Sequence, residues 1–241
     1  MAPNWLTALA WVYLSICFVC AGAIAYDIFV NHRRQPMGVM DAVFPITALY
    51  FGPLALYLRW GRAGVRPRSA PSHTVAAAMP EMAMPAASAS ERPWWARMAI
   101  EVSHCGAGCT LGDLIAEWVI FALGLTIAGY ALFAEYAGDY LLALAFGIVF
   151  QYFAIAPMRG LGLREGLKAA ARADFISLTC FEIGLFGWMA LMTFVFFPAP
   201  HHLMPTSAAY WFLMQIGMII GYFTSWPANV WLVKRGIKVP M

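Results

Sequence analysis

Residues 104–133 read HCGAGCTLGDLIAEWVIFALGLTIAGYALF. A head of two thiols, an imidazole and a carboxylate, His104-Cys105-Gly106-Ala107-Gly108-Cys109-Thr110-Leu111-Gly112-Asp113, runs straight into an apolar stretch. The stretch reaches the roughly 20 residues that a helix needs to cross a bilayer. Composition agrees with a membrane protein: the 241 residues are 62% hydrophobic and 11% charged, against about 25% charged in a soluble domain. The net charge of +3 is small and calls for no nucleic-acid partner.

Working outward, six apolar stretches are long enough to span the membrane, near 5–30, 37–58, 110–133, 139–158, 174–197 and 207–232. The expected fold is all-α, with six transmembrane helices. Arg33 and Arg34 stand alone between the first two stretches. Arg59, Arg62, Arg66, Arg68, Arg92, Arg97, Arg159, Arg164, Lys168, Arg172, Lys234, Arg235 and Lys238 alternate to the other side. The positive-inside rule then puts both termini in the cytoplasm. Residues 1–60 form a transmembrane hairpin, 61–97 a cytoplasmic linker, and 98–241 a four-helix region carrying the His-Cys motif. The first stretch is retained: Ala23-Ile24-Ala25 resembles a cleavage site, but Met1 to Leu6 lacks the Lys or Arg of a signal peptide.

The tract Gly61–Pro93 is rich in Ala, Pro, Ser and Met. It offers too little apolar surface to offset its ordering entropy and reads as disordered. His73, Met79, Met82 and Met84 within it read as low-complexity drift rather than a metal site. Trp94 and Trp95 mark the return to the interface. Arg164, Lys168 and Arg172, at spacing four, indicate a short basic helix lying on the inner leaflet. Three segments share a pattern: Tyr50-Phe51-Gly52-Pro53, Tyr152-Phe153 with Pro157, and Tyr222-Phe223 with Pro227. They are read as the ends of three repeated helical hairpins.

Ionisable groups inside a membrane cost about 2.5–3.5 kcal/mol each and need a partner or a function. Asp113 and Glu117, at spacing four, share a helix face. Glu182 lies about two turns from Asp174, with Cys180 beside it, and Gln151 adds a polar group in the same half. Glycines 106 and 108 permit a tight turn before a helix that starts near Thr110. Around such a turn His104, Cys105, Cys109 and Asp113 converge on one metal ion at the cytoplasmic mouth. Glu117, Cys180, Glu182 and Gln151 continue a polar path inward. His201, His202 and Met204 form an outer collecting point, since imidazole and thioether both suit Cu(I). The competing readings are a Cys105/Cys109 redox pair and a small-residue helix start with the thiols as filler.

The combination resembles a bacterial membrane family of unknown function, domain-of-unknown-function family 4396. The matching pieces are His104–Asp113, Phe150-Gln-Tyr-Phe-Ala-Ile-Ala-Pro-Met-Arg-Gly160, Met214-Gln-Ile-Gly-Met-Ile-Ile-Gly-Tyr-Phe223 and Trp231-Leu-Val-Lys-Arg-Gly-Ile-Lys238. The resemblance implies a multi-pass protein of the bacterial inner membrane and no particular activity. The expected function is soft-metal binding and transport, with Cu(I) the first candidate and Zn(II) the second. No organic cofactor is indicated, and a transporter is favoured over an enzyme. The alternatives are a membrane thiol–disulfide redox protein, or a non-catalytic partner of an export system. Expected partners are the lipid bilayer and the metal ion, with a homo-oligomer or an export system as a further contact.

Overall fold

A computed structural model describes residues 2–35, 37–60 and 93–238; of the linker expected at 61–97, residues 61–92 lie outside them and 94–97 belong to a helix instead. The described residues are helical, with a single isolated β-bridge between Ile127 and Tyr130. The helices are α1 (Asn4–Phe29), α2 (Met40–Phe51), α3 (Pro53–Trp60), α4 (Trp94–Leu123), α5 (Ala131–Arg159), α6 (Leu163–Leu191) and α7 (Ala208–Lys234). A π-helical turn, Met192–Phe196, extends α6. Five helices, α1 and α4 to α7, are long and apolar enough to cross a membrane. Their outer faces carry lipid-facing side chains such as Trp11, Phe18, Val119 and Phe223.

The second apolar stretch does not make a sixth crossing. Its twelve-residue α2 rises only about 18 Å. The chain then breaks at Gly52, which takes φ +52°, and Pro53 starts α3 in a new direction. Gly52 lies against Cys17, midway along α1. Seven residues later Arg59 is back beside the C-terminal end of α1. Its Nη2 donates to Asp27 Oδ2 at 2.9 Å and to the Arg33 carbonyl at 3.0 Å. Trp60 Nε1 donates to the same carboxylate oxygen at 3.2 Å. Both ends of the α2–α3 pair therefore meet at one end of α1, and the pair is a re-entrant hairpin.

A backbone break at membrane depth is tolerated only when its freed groups find partners in the protein. Tyr13 donates its hydroxyl to the Tyr50 carbonyl at 2.7 Å, and the Gln215 amide donates to the Leu49 carbonyl. The Gly52 amide donates to Ala48.

The hairpin changes the arrangement read from hydropathy. With five long helices the two termini fall at opposite ends of the bundle. Every described Lys and Arg belongs to one end, including Arg33 and Arg34, which a sixth crossing would have isolated. Asp27 and Asp41 join that basic end. The three Tyr-Phe segments also diverge: the first is the hairpin tip, whereas α5 and α7 continue unbroken through Pro157 and Pro227. The repeat in sequence is thus not a repeat in conformation. The basic segment 163–173 is helical with Arg164, Lys168 and Arg172 exposed, but it is the first part of α6 rather than a separate surface helix.

Helix α4 starts at Trp94, sixteen residues before the expected start at Thr110, and ends at Gly124 with φ +61°. Neither Gly106 nor Gly108 takes a positive φ. These glycines serve packing. A Cβ on Gly108 would lie 2.8 Å from the Gly147 Cα, and one on Gly112 would collide with the Ala143 backbone nitrogen. Small residues let two backbones approach where lipid supplies no hydrophobic drive between helices. Helices α4 and α5 meet at this seam.

Two outcomes follow. Reporter domains fused at the two termini should read opposite sides of the membrane, and identical sides would restore a sixth crossing. Gly112→Val should lower thermal stability in detergent, by about 1–3 kcal/mol or by loss of folding. Gly187→Ala, which has open space beside it, should change it little.

A buried polar ladder as candidate functional site

The continuous helix puts the His-Cys motif at mid-bundle rather than at a mouth. Gly108 and Cys109 are the central residues of the 30-residue α4. Glu101, Cys105, Cys109, Asp113 and Glu117 follow one another at spacing four, and all five are buried. Spacing four advances about 40° per step at 3.6 residues per turn. The row therefore winds slowly round α4 over about 24 Å. Its two ends face different neighbours.

At the basic end the row begins on an ion cluster. Lys238, just beyond α7, places its ammonium 3.4 Å from Glu101 Oε1 and 3.2 Å from Asp174 Oδ1. It also donates to Ser177 Oγ at 3.0 Å and to Asn229 Oδ1 at 2.9 Å. Burial pulls the lysine pKa down, but Asp174 and then Glu101 outweigh it and hold the pKa above the usual lysine range. Cys105 comes next, its Sγ 3.5 Å from Ser177 Oγ. Cys109 follows, a neighbour of Cys105 and of Glu182. The tip of the re-entrant hairpin closes this level: the Tyr50 hydroxyl would be 3.0 Å from a Cβ on Gly106. Thr110 adds a contact to Met218 Sδ at 3.7 Å.

Beyond the thiols the ladder becomes acidic. Asp113 faces Glu182 and Asp139, and Glu117 sits against Asp139 and Glu135. Helix α5 supplies a matching row at spacing four, Glu135, Asp139, Ala143, Gly147 and Gln151. Its acids meet the acidic end of α4, and its small residues form the seam. Among the described residues, none of Asp113, Glu117, Asp139 and Glu182 is paired with a cation, and Asp113 has no hydrogen-bond donor on either oxygen. The Tyr210 hydroxyl is buried beside Glu117. Carboxylates so placed require protons or a passing cation to balance them.

Glu135 and Tyr210 also line a cavity of about 470 Å³ at the end opposite Lys238. Its wall includes Met192 and Thr193 of the π-helical turn, with His202 and Met204 from the loop before α7. Of the expected outer set, His202 and Met204 lie on this cavity, and His201 is not part of its lining.

The expected four-ligand set is not gathered at one point. Eight residues of helix separate Cys105 from Asp113 by about 12 Å, whereas ligands of one tetrahedral ion all lie about 2.0–2.3 Å from it. His104 turns instead toward α5, with its ring 6.2 Å from that of Phe150. Its Nε2 has no partner among the described residues. Among those residues no three His, Cys, Asp or Glu side chains form a metal-binding group. Of the expected path, Glu117 and Glu182 join the ladder. Cys180 is half-buried, its carbonyl accepting from Thr224. Gln151 is buried near the basic end of α5, its Oε1 without a partner among the described residues. Lys238, Asp139 and Tyr210 escaped the sequence reading as site residues. The spacing-four row from Glu101 was there to be read, given a helix starting at Trp94.

Fold and site together define a multi-pass helical membrane protein with a polar interior running most of the way between its two faces. The chain belongs to the family defined by the domain of unknown function DUF4396, whose profile matches residues 94–238. That match takes in α4 to α7 and Lys238, and so the whole ladder. No curated protein and no solved structure shows a significant match to the chain.

The two kinds of buried acid should respond oppositely to neutralisation. Asp174→Asn, and Asp27→Asn in the hairpin clasp, leave a buried cation short of its partner and should cost about 3–5 kcal/mol. Asp113→Asn and Glu117→Gln remove carboxylates that pair with no cation and crowd other acids, and should leave the melting temperature unchanged or raised. Thermal unfolding in one detergent across the four variants separates them.

Proposed function

We propose that this protein moves a cation across the bacterial inner membrane through the polar interior of α4 to α7. The observation that carries the reading is the order of groups along the ladder. A pair of thiols sits at the middle of the bundle, with an oxygen-rich site on one side and buried carboxylates that pair with no cation among the described residues on the other. Thiols select soft ions, so Cu(I) is the first cargo and Zn(II) the second. Cu(I) is satisfied by two thiolates, which is compatible with the lack of a larger ligand cluster. Asp113, Glu117, Asp139 and Glu182 would take up and release protons as the charge passes. His202 and Met204 would receive or deliver the ion at the cavity. The basic end faces the cytoplasm by the positive-inside rule, which puts the C-terminus inside and the N-terminus outside.

A dithiol redox role for Cys105 and Cys109 is the second reading, favoured by their being neighbours. The straight helix works against it, because spacing four holds Cβ atoms about 5–6 Å apart, beyond the 3.5–4.5 Å of a disulfide.

Purified protein in liposomes, given Cu(I) or Ag(I) with an internal metal indicator, tests the transport reading. Uptake should exceed that of empty liposomes and fall about tenfold or more in Cys105→Ser/Cys109→Ser. Glu117→Gln should weaken the accompanying change in internal pH. Uptake equal in wild type and the thiol double variant would overturn the reading.

A further inference from the structure

Helix α7 ends in a turn that sends the chain back along itself. Gly236 takes φ +68°, its amide donates to the Val233 carbonyl at 3.0 Å, and the Ile237 amide donates to Leu232 at 3.0 Å. This paired closure is the usual way a glycine stops a helix and reverses the chain. It brings the Lys238 ammonium to Asn229, nine residues earlier, and inserts it between α4, α6 and α7. Four oxygens then surround the ammonium at 2.9–3.4 Å, from Asn229, Ser177, Asp174 and Glu101. All five side chains are at least 98% buried.

The helices preorganise this pocket without help from the lysine. Ser177 Oγ donates to the Asp174 carbonyl at 3.0 Å and lies 3.1 Å from Asp174 Oδ1. Asn229 Nδ2 donates to the Ser225 carbonyl at 3.0 Å, which turns its Oδ1 toward the pocket. Gly147 leaves room for the carboxylate, since a Cβ there would lie 2.6 Å from Asp174 Oδ2. Cys105 and Lys238 also neighbour this carboxylate, which is buried with room beside its Oδ2. The cation, by contrast, arrives on a short turn outside the transmembrane helices.

We propose that Glu101, Asp174, Ser177 and Asn229 form a binding site for a small monovalent cation of the potassium or ammonium kind, and that Lys238 is its tethered competitor. A ring of oxygens from carboxylate, amide and hydroxyl groups replaces the hydration shell of such an ion. Lys238 fills the ring with a charge that cannot diffuse away. Because Ser177 also touches Cys105, the lysine stands at the inner end of the thiol ladder and closes it. The site rests on its own geometry, and only the closing role rests on the transport reading above.

The test uses the full-length protein in detergent, with thermal unfolding followed at constant ionic strength in potassium, methylammonium or choline chloride. Wild type, its site filled, should respond alike to the three salts. Lys238→Met should melt lower, and potassium or methylammonium should restore part of the loss with a saturable dependence. Choline, too large for the ring, should not. Adding Asp174→Asn to Lys238→Met should abolish the selective response. A folded Lys238→Met that treats the three salts alike overturns the site.

Should Lys238→Met fail to fold, the wild-type chain still decides the matter through amine labelling. Lys238 is read against the exposed Lys234 by mass spectrometry. Potassium should raise relative labelling of Lys238 about twofold or more over choline, because a competing ion releases the tethered amine. Equal labelling in the two salts overturns the proposal. Selective cation binding without copper uptake would leave this site standing and remove the transport reading, and copper uptake without selective binding would do the reverse.

Discussion

A hydrocarbon layer about 30 Å thick offers no water to a buried charge, and this chain meets that constraint differently at each depth. At the basic end, Arg59 closes onto Asp27 and the backbone of Arg33, tying the re-entrant hairpin to α1. A little deeper, Lys238 neutralises acids from two helices and ties α4, α6 and the chain after α7 together. In the middle the ladder carries thiols and hydroxyls, whose neutral forms cost less to bury, with the Glu182 carboxyl beside Cys109. Toward the far face it carries carboxylates that pair with no cation among the described residues. Charges paired with opposite charges hold the architecture together, and the acids without a cation are the groups to which the proposed function assigns the passing charge.

The glycines of the motif connect these levels. Gly108 and Gly112 bring α4 against Ala143 and Gly147 of α5, so the two spacing-four rows face each other across a narrow seam. The same Gly147 admits the Asp174 carboxylate. One set of missing side chains therefore sets both the helix packing and the spacing of the polar groups. Gly106 plays the parallel part on another face, where Tyr50 and Phe181 crowd it. The hairpin tip reaches the thiols for this reason.

Much of this was legible in the chain and some was not, and the failures share a cause. Hydropathy located α1 and α7 closely and found the apolar parts of α5 and α6, whose first turns at Ala131 and Leu163 lie eight and eleven residues before the expected starts. It misplaced α4, because Gly106 and Gly108 look like helix breakers in isolation, while in a membrane small residues are the helix-packing surface. It took residues 37–58 for a crossing because length and apolarity cannot tell a helix that spans from one that turns back. Arg33 and Arg34 were the warning: they stood on the wrong side of a six-span arrangement. Lys238 was counted for topology alone, since nothing local shows that Gly236 folds it inward.

By itself the sequence determined the class of protein and its all-helical character, because composition and apolar run length answer directly to the bilayer. It also determined which residues could carry chemistry, since thiols, imidazoles and carboxylates are rare and costly in such a chain. Only the tertiary structure decided how these groups meet. It drew the His-Cys motif out along a helix instead of round an ion, turned α2 and α3 back at Gly52, and set Lys238 among oxygens from three helices. Each of these depends on contacts between segments far apart in the chain. Local spacing along one helix does not encode them.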